Sequence, residues 1–255
     1  MKRGTKIQYK GSEYNEDGDR PVNLDHIPKI KSVRELESAI DDTDMHFMHI
    51  GDDKIYGINK LSFKQHKFLL LEPNPVTFYF SLSFDSINQI ELAKVNLENT
   101  LNSRADDGQK AQAFSFVFRV GAVSILFSFL ALEAFLNQML PDHGLIEYKG
   151  KMLSKEKIER YTPFIDKLNL IIPALAGKDF CKVYPSKVDK FELLKTLRDK
   201  LTHLKEIKSG FTSYNQVYQD VLDADLKSIV FTVKNFINFY SPELIENYNM
   251  KTKIK

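Results

Sequence analysis

The chain has 255 residues, a formal net charge of +2 and 43% hydrophobic residues. That length supports one large domain or two small ones with a real hydrophobic core, and the composition excludes a disordered chain. The charge balance neither demands nor excludes a nucleic-acid partner, because basic residues can gather on one face.

Cys181 is the only cysteine, so no intrachain disulfide can form, and a reducing, cytoplasmic compartment is expected. The polar start MKRGTKIQYKGSEYNEDGD lacks the apolar core of a secretory signal. Residues 1–28 read as a loosely packed arm, since GSEYNEDGDRP is rich in charge and turn formers. Ser32 then caps a short helix, SVRELESAI, with Glu35 in capping-box spacing.

From Met45 to Phe84 the pattern is short and alternating. MHFMHIG, KIYGIN, KFLLLE and VTFYFSLSF are separated by GDD, KLSFKQH and PNP, which predicts an antiparallel meander of three or four strands. Pro73 and Pro75 would punctuate it. From Ser86 the period turns helical: Ile87, Ile90, Leu92, Val95, Leu97 and Leu101 are expected on one broad apolar stripe. RADDGQ breaks that helix.

The segment from Ala113 to Leu140 is apolar nearly all round, as in the central helix of a bundle. Its uncharged core, Val120 to Leu132, is flanked by Arg119 and Glu133 and is shorter than the roughly 20 residues a membrane span needs. A buried helix of a soluble protein is expected, with no membrane partner. Pro141, Asp142 and Gly144 end it. SKEKIERY and PFIDKLNLIIPALAG follow as shorter helices. FELLKTLRDKLTHLKEIK is the next helix, ended by Gly210. A last helical region runs from about Tyr214 to Phe239 with a bend near Asp223, and NMKTKIK is a frayed basic tail.

The helix around Leu194 to Lys205 carries the informative side chains. Leu194, Leu197, Leu201 and Leu204 are spaced three, four and three, one stripe that faces a core. Arg198, Asp199, Thr202 and His203 lie off it. Asp199 and His203 are four apart and can touch, as can Arg198 and Thr202. An imidazole can move a proton near neutral pH. A guanidinium can fork two hydrogen bonds to a phosphate and stabilise charge developing on it. Asp199 could hold the tautomer of His203.

The run Arg198-Asp199-Lys200-Leu201-Thr202-His203 resembles the R-x4-6-H motif of HEPN domains, which usually carry a polar residue after the arginine. FLALEAFLNQML resembles the first long helix of that family, with Glu133 and Asn137 at its acidic and polar positions. The resemblance covers Ala113 to Phe239. It implies a helical HEPN-like bundle and a metal-independent endoribonuclease acting as a homodimer, in which two motifs form one cleft. Arg198 would bind the scissile phosphate, and His203 would act on the 2′-hydroxyl or the leaving group. Members serve in toxin–antitoxin and anti-phage systems, so an antitoxin or other regulatory protein is an implied partner. The chain departs from many active members in having Asp199 where they have asparagine. That departure leaves open the alternative of a non-catalytic HEPN-like interaction and dimerisation module.

The expected architecture is therefore α+β: residues 1–110 with a small sheet and one helix, a HEPN-like bundle over 111–245, and a basic tail over 246–255. Catalytic candidates are Arg198, His203 and Asp199, supported by Glu133, Asn137 and Thr202. Glu133 on a buried helix needs a partner, and Arg198 is the expected one. Lys195, Lys200 and Lys205 flank the motif and could meet an RNA backbone. His46, His49 and His66 lack a compact ligand spacing, so neither metal nor cofactor is expected. Cys181 has no identifiable histidine partner and reads as a packed thiol.

Overall fold

The computed structural model describes residues 45–49, 55–71, 73–203 and 214–245. The expected N-terminal arm, the helix after Ser32, Leu204, Lys205 and the basic tail lie outside them. The protein is mostly helical with small antiparallel sheets, an α+β architecture dominated by helices. It divides into two compact units at Asn74 and Pro75.

The first unit contains β1 (Met45–His49), β2 (Ile55–Phe63) and β3 (His66–Leu71), an antiparallel meander in the order β1-β2-β3. Phe63 pairs with His66, so Lys64 and Gln65 form a two-residue turn, with Lys64 at φ 55°. KLSF, expected as a separator, is the end of β2.

The second unit opens with α1 (Pro75–Leu101), and here two expectations fail. Val76 to Phe84, expected as a strand, is helical. Its aromatic and β-branched residues favour a strand locally, yet Val76, Phe80, Phe84, Ile87, Ile90 and Ala93 are buried at three- and four-residue spacing. Pro75 opens the helix instead of closing a sheet, its missing N–H being one that a first turn leaves free. The expected apolar stripe is also displaced. Leu92 is 73% exposed and Val95 is exposed too, both turned away from Ile90, and Leu101 is exposed at the last residue of the helix.

Helix α2 (Asp107–Gln138) is the axis of the bundle. It starts six residues before the expected Ala113, at a capping box: Gln109 N donates to Asp106 Oδ1 at 2.8 Å, and Asp106 N donates to Gln109 Oε1 at 3.0 Å. It is long and apolar enough to cross a membrane, and half of its most apolar window is packed inside the bundle. Small residues let neighbours approach. Ser83 of α1 donates to the Ser124 carbonyl at 3.0 Å and meets the Ser128 hydroxyl at 2.6 Å. Gly121 lies beneath Val221 and Leu226.

After α2 comes an unexpected hairpin, β4 (Ile146–Tyr148) and β5 (Lys151–Leu153). Lys149 and Gly150 both have positive φ, the turn that matches strand twist. Tyr148 Oη and Lys149 Nζ both donate to Asp166 Oδ2, the lysine at 2.8 Å, tying the turn to the helices beyond. These are α3 (Lys155–Tyr161), α4 (Phe164–Asp166), a π-helical turn (Lys167–Ile171) and α5 (Ile172–Ala176). Gly177 ends them in the left-handed conformation. Then follow α6 (Phe180–Val183), α7 (Val188–Thr202), α8 (Asn215–Asp223) and α9 (Leu226–Tyr240). The chain breaks near Asp223, as expected. Asp225 caps α9 through the Ser228 N–H at 3.0 Å.

Phe135, Phe180, Phe191 and Phe236 join α2, α6, α7 and α9 edge to face, with Phe236 5.3 Å from both Phe180 and Phe191. This cluster fixes α7 against α2, which places the functional candidates.

Candidate active site at the end of α7

Helix α7 is held by Phe191, Leu194 and Leu197, all buried, with Leu201 partly so. The described part of the stripe read from the sequence, Leu194, Leu197 and Leu201, thus faces the core. The helix ends earlier than expected. Thr202 is its last residue, and His203 at the cap has φ −117° and ψ 42°, outside helical geometry. Its N–H still bonds to the Asp199 carbonyl at 3.0 Å. The side chains of Thr202 and His203 are exposed.

Arg198 lies over Phe129 of α2, its Cζ 3.8 Å from the ring centroid. Phe129 is 1% exposed and stacks in turn on Phe164 at 4.5 Å. Arg198 Nη1 contacts Asp199 Oδ1 at 2.8 Å. The Nε atom is buried and has no hydrogen-bond partner among the described residues. A charged N–H withheld from water without an acceptor is costly, and only the exposed part of the guanidinium can meet a ligand.

Asp199 does not orient His203. Its two oxygens are engaged by Arg198 and by Lys195 Nζ at 2.7 Å. Thr202 Oγ1 donates back to the Arg198 carbonyl at 2.9 Å, a local helix contact. Lys200 pairs with Asp220 of α8 at 2.5 Å, and this hydrogen bond holds the Asp220 carboxyl below its ordinary range. Lys195 and Lys200 are therefore already partnered by carboxylates.

The expected pair between Glu133 and Arg198 is not formed, since Arg198 pairs with its own neighbour. Glu133 instead acts by charge on Lys167, a residue the sequence reading missed. Lys167 is 3% exposed, and its Nζ donates to Asn137 Oδ1 at 3.1 Å and to the Glu159 carbonyl at 2.9 Å. Burial lowers its pKa, against the raising fields of Glu133 and Glu159. Asn137 is thus an inter-helix hydrogen bonder. Phe129, Glu133 and Asn137 share one ridge of α2 at four-residue spacing, about 6 Å per step. Arg198 covers the first and Lys167 holds the third, so the half-buried Glu133 lies along the ridge between two cations.

A signal for Lys167 was present in the sequence. Phe164, Lys167, Leu168 and Ile171 are spaced three, one and three, which puts a lysine on an apolar helix face. The π-helical turn there is a device found often at functional sites. Phe129 carried no such signal, because one phenylalanine in FSFLAL looks like another.

Cys181 is a packed thiol. It is half-buried, donates to Asn169 Oδ1 at 3.1 Å, and burial pushes its pKa up to about 11.

The arrangement can seat an anionic oxygen against Arg198 beside an exposed imidazole. Comparison with family models, with curated proteins and with solved structures finds no match.

Proposed function

We propose that this protein is a metal-independent endoribonuclease of HEPN type, acting in the cytoplasm as a homodimer that brings two Arg198–His203 motifs to one cleft. The observation that carries this reading is the state of Arg198. It lies over Phe129 and is partly exposed, five residues from an exposed histidine. A scissile phosphate takes charge-assisted bonds from the exposed part of the fork. His203 takes the proton of the 2′-hydroxyl or delivers one to the leaving 5′-oxygen. The 2′-oxygen bonds to phosphorus as the bond to the 5′-oxygen breaks, leaving a 2′,3′-cyclic phosphate and a 5′-hydroxyl. The resemblance adds the role of a toxin or anti-phage effector held in check by an antitoxin or other regulatory protein.

The test is the dependence on the 2′-hydroxyl. An RNA oligonucleotide should be cut in EDTA to a cyclic-phosphate end, and the same sequence with 2′-deoxyribose should stay intact. Cutting of both would remove the proposed chemistry.

A second reading has its own support. Asp199 is held by Lys195 and Arg198, and Lys200 by Asp220, so among the described residues no carboxylate is paired with His203 and the two lysines are already neutralised. A non-catalytic dimerisation module fits that arrangement. A dimer in solution that neither binds nor cuts RNA would favour it.

A further inference from the structure

The tip of the α1–α2 hairpin holds a second site, independent of the Arg198 reading. A cleft of about 810 Å³ opens between the end of α1 and the start of α2. Its size falls within the range of small-molecule sites, roughly 300–1,000 Å³. Asn96 comes from α1, Arg104 from the connection, and Gln112, Phe116 and Arg119 from α2.

The charge of this cleft is one-sided. No carboxylate lines it, and neither Arg104 nor Arg119 forms an ion pair with a described residue. The nearest acids are engaged elsewhere. Asp106 caps α2 through the Gln109 N–H at 2.8 Å, and Asp107 contacts Lys110 at 3.6 Å. Two guanidiniums thus share one concavity, each able to fork to phosphate oxygens. Asn96 and Gln112 add amide groups that can read polar edges. Arg119 also lies over Phe116, its Cζ 5.3 Å from the ring centroid. A guanidinium plane backed by a ring is a surface on which a nucleobase stacks.

We propose that this cleft binds a nucleotide, its phosphate at Arg104 and its base against the Arg119–Phe116 stack. It is separate from the candidate active site. Phe116 and Phe129 stand about 20 Å apart along the axis of α2 and point to different sides of it. The ligand chemistry is a nucleotide phosphate, and it has two sources: a free mononucleotide and a nucleotide within an RNA chain.

Calorimetric titration of the full chain distinguishes them. The probes are adenosine 5′-monophosphate, inorganic phosphate and a short oligoadenylate. The proteins are the wild type, Arg104→Ala/Arg119→Ala, Gln112→Glu and Arg198→Met. The monophosphate should bind the wild type and Arg198→Met alike, and each arginine removed should weaken it about tenfold or more, the strength of one hydrogen bond to a charged group. Both arginines are exposed, so the double variant should melt as the wild type does. Gln112→Glu places a carboxylate in the same wall and should also weaken binding, whichever way the double variant folds. Binding of oligoadenylate alone, lost in the double variant, supports the cleft with RNA as its source. Phosphate binding as tightly as the monophosphate would overturn the nucleotide assignment. So would no binding of any probe at millimolar concentration, or binding lost only in Arg198→Met.

Discussion

Replacing Arg198 by Met separates a functional arginine from a structural one. The perturbation removes a guanidinium that touches Phe129 at 3.8 Å, an ion pair with Asp199 at 2.8 Å, and a buried Nε without a partner. The lost stacking is worth about 0.5–2 kcal/mol. The ion pair, with Arg198 26% and Asp199 35% exposed, adds about 0–1 kcal/mol. Relieving the unpaired Nε returns about 1–3 kcal/mol. Methionine keeps a polarizable chain over the ring. These terms nearly cancel, so stability should change by no more than about 1 kcal/mol, or about 2–4 °C in melting temperature for a unit of this size. RNA cleavage should fall by about 10²–10³, the effect of removing one preorganised donor to a developing oxyanion. Thermal melting and a cleavage rate on the same sample give both numbers. Destabilisation of about 3 kcal/mol or more would make Arg198 a strut of the α2–α7 contact. Undiminished cleavage would remove it from the site.

Two further expectations concern the scaffold. A Cβ at Gly121 would sit 2.6 Å from Val221 Cγ1, so Gly121→Ala forces apart α2 and α8. Overpacking costs about 1–3 kcal/mol. Better helix propensity returns about 1. Urea unfolding should show a net loss near 1 kcal/mol, and an increase in stability would mean that α8 packs less tightly than described. At the hairpin, Lys149 and then Tyr148 hold the Asp166 carboxyl below its ordinary 3.8. A carboxylate depressed in the folded state stabilises it above the unfolded value, and that stability disappears as pH falls through the folded one. The gap in urea midpoint between the wild type and Asp166→Asn should be present near about pH 6 and close toward about pH 2. A gap that persists in acid would contradict the assigned tie.

Much of the architecture was legible because periodicity tracks burial. The three strands over 45–71 fall where short apolar runs between turn formers put them, and Leu194, Leu197 and Leu201 of α7 face the core where their spacing puts them. The failures have physical causes. VTFYF has strand propensity, but its three- and four-residue register with Ile87 and Ile90 decides for helix once α2 is packed beside it. The true start of α2 was written in Asp106 and Gln109, a capping box obscured by the turn-like run around it. The β4–β5 turn depends on Lys149 at positive φ, which sequence favours only through Gly150. At the candidate site, residue types were readable while partners were not. Which cation Asp199 engages, what Glu133 faces and which ring Arg198 covers all depend on how α7 and the π-helical turn seat against α2.

The most direct test of the central claim is cleavage of a mixed RNA pool in EDTA by the wild type and by His203→Ala, side by side. His203 is exposed at the end of α7, so the variant should fold as the wild type does. Cleavage by the wild type alone is the predicted result. Equal cleavage by both would contradict a nuclease centred on this motif, and no cleavage by either would leave the bundle as an interaction module.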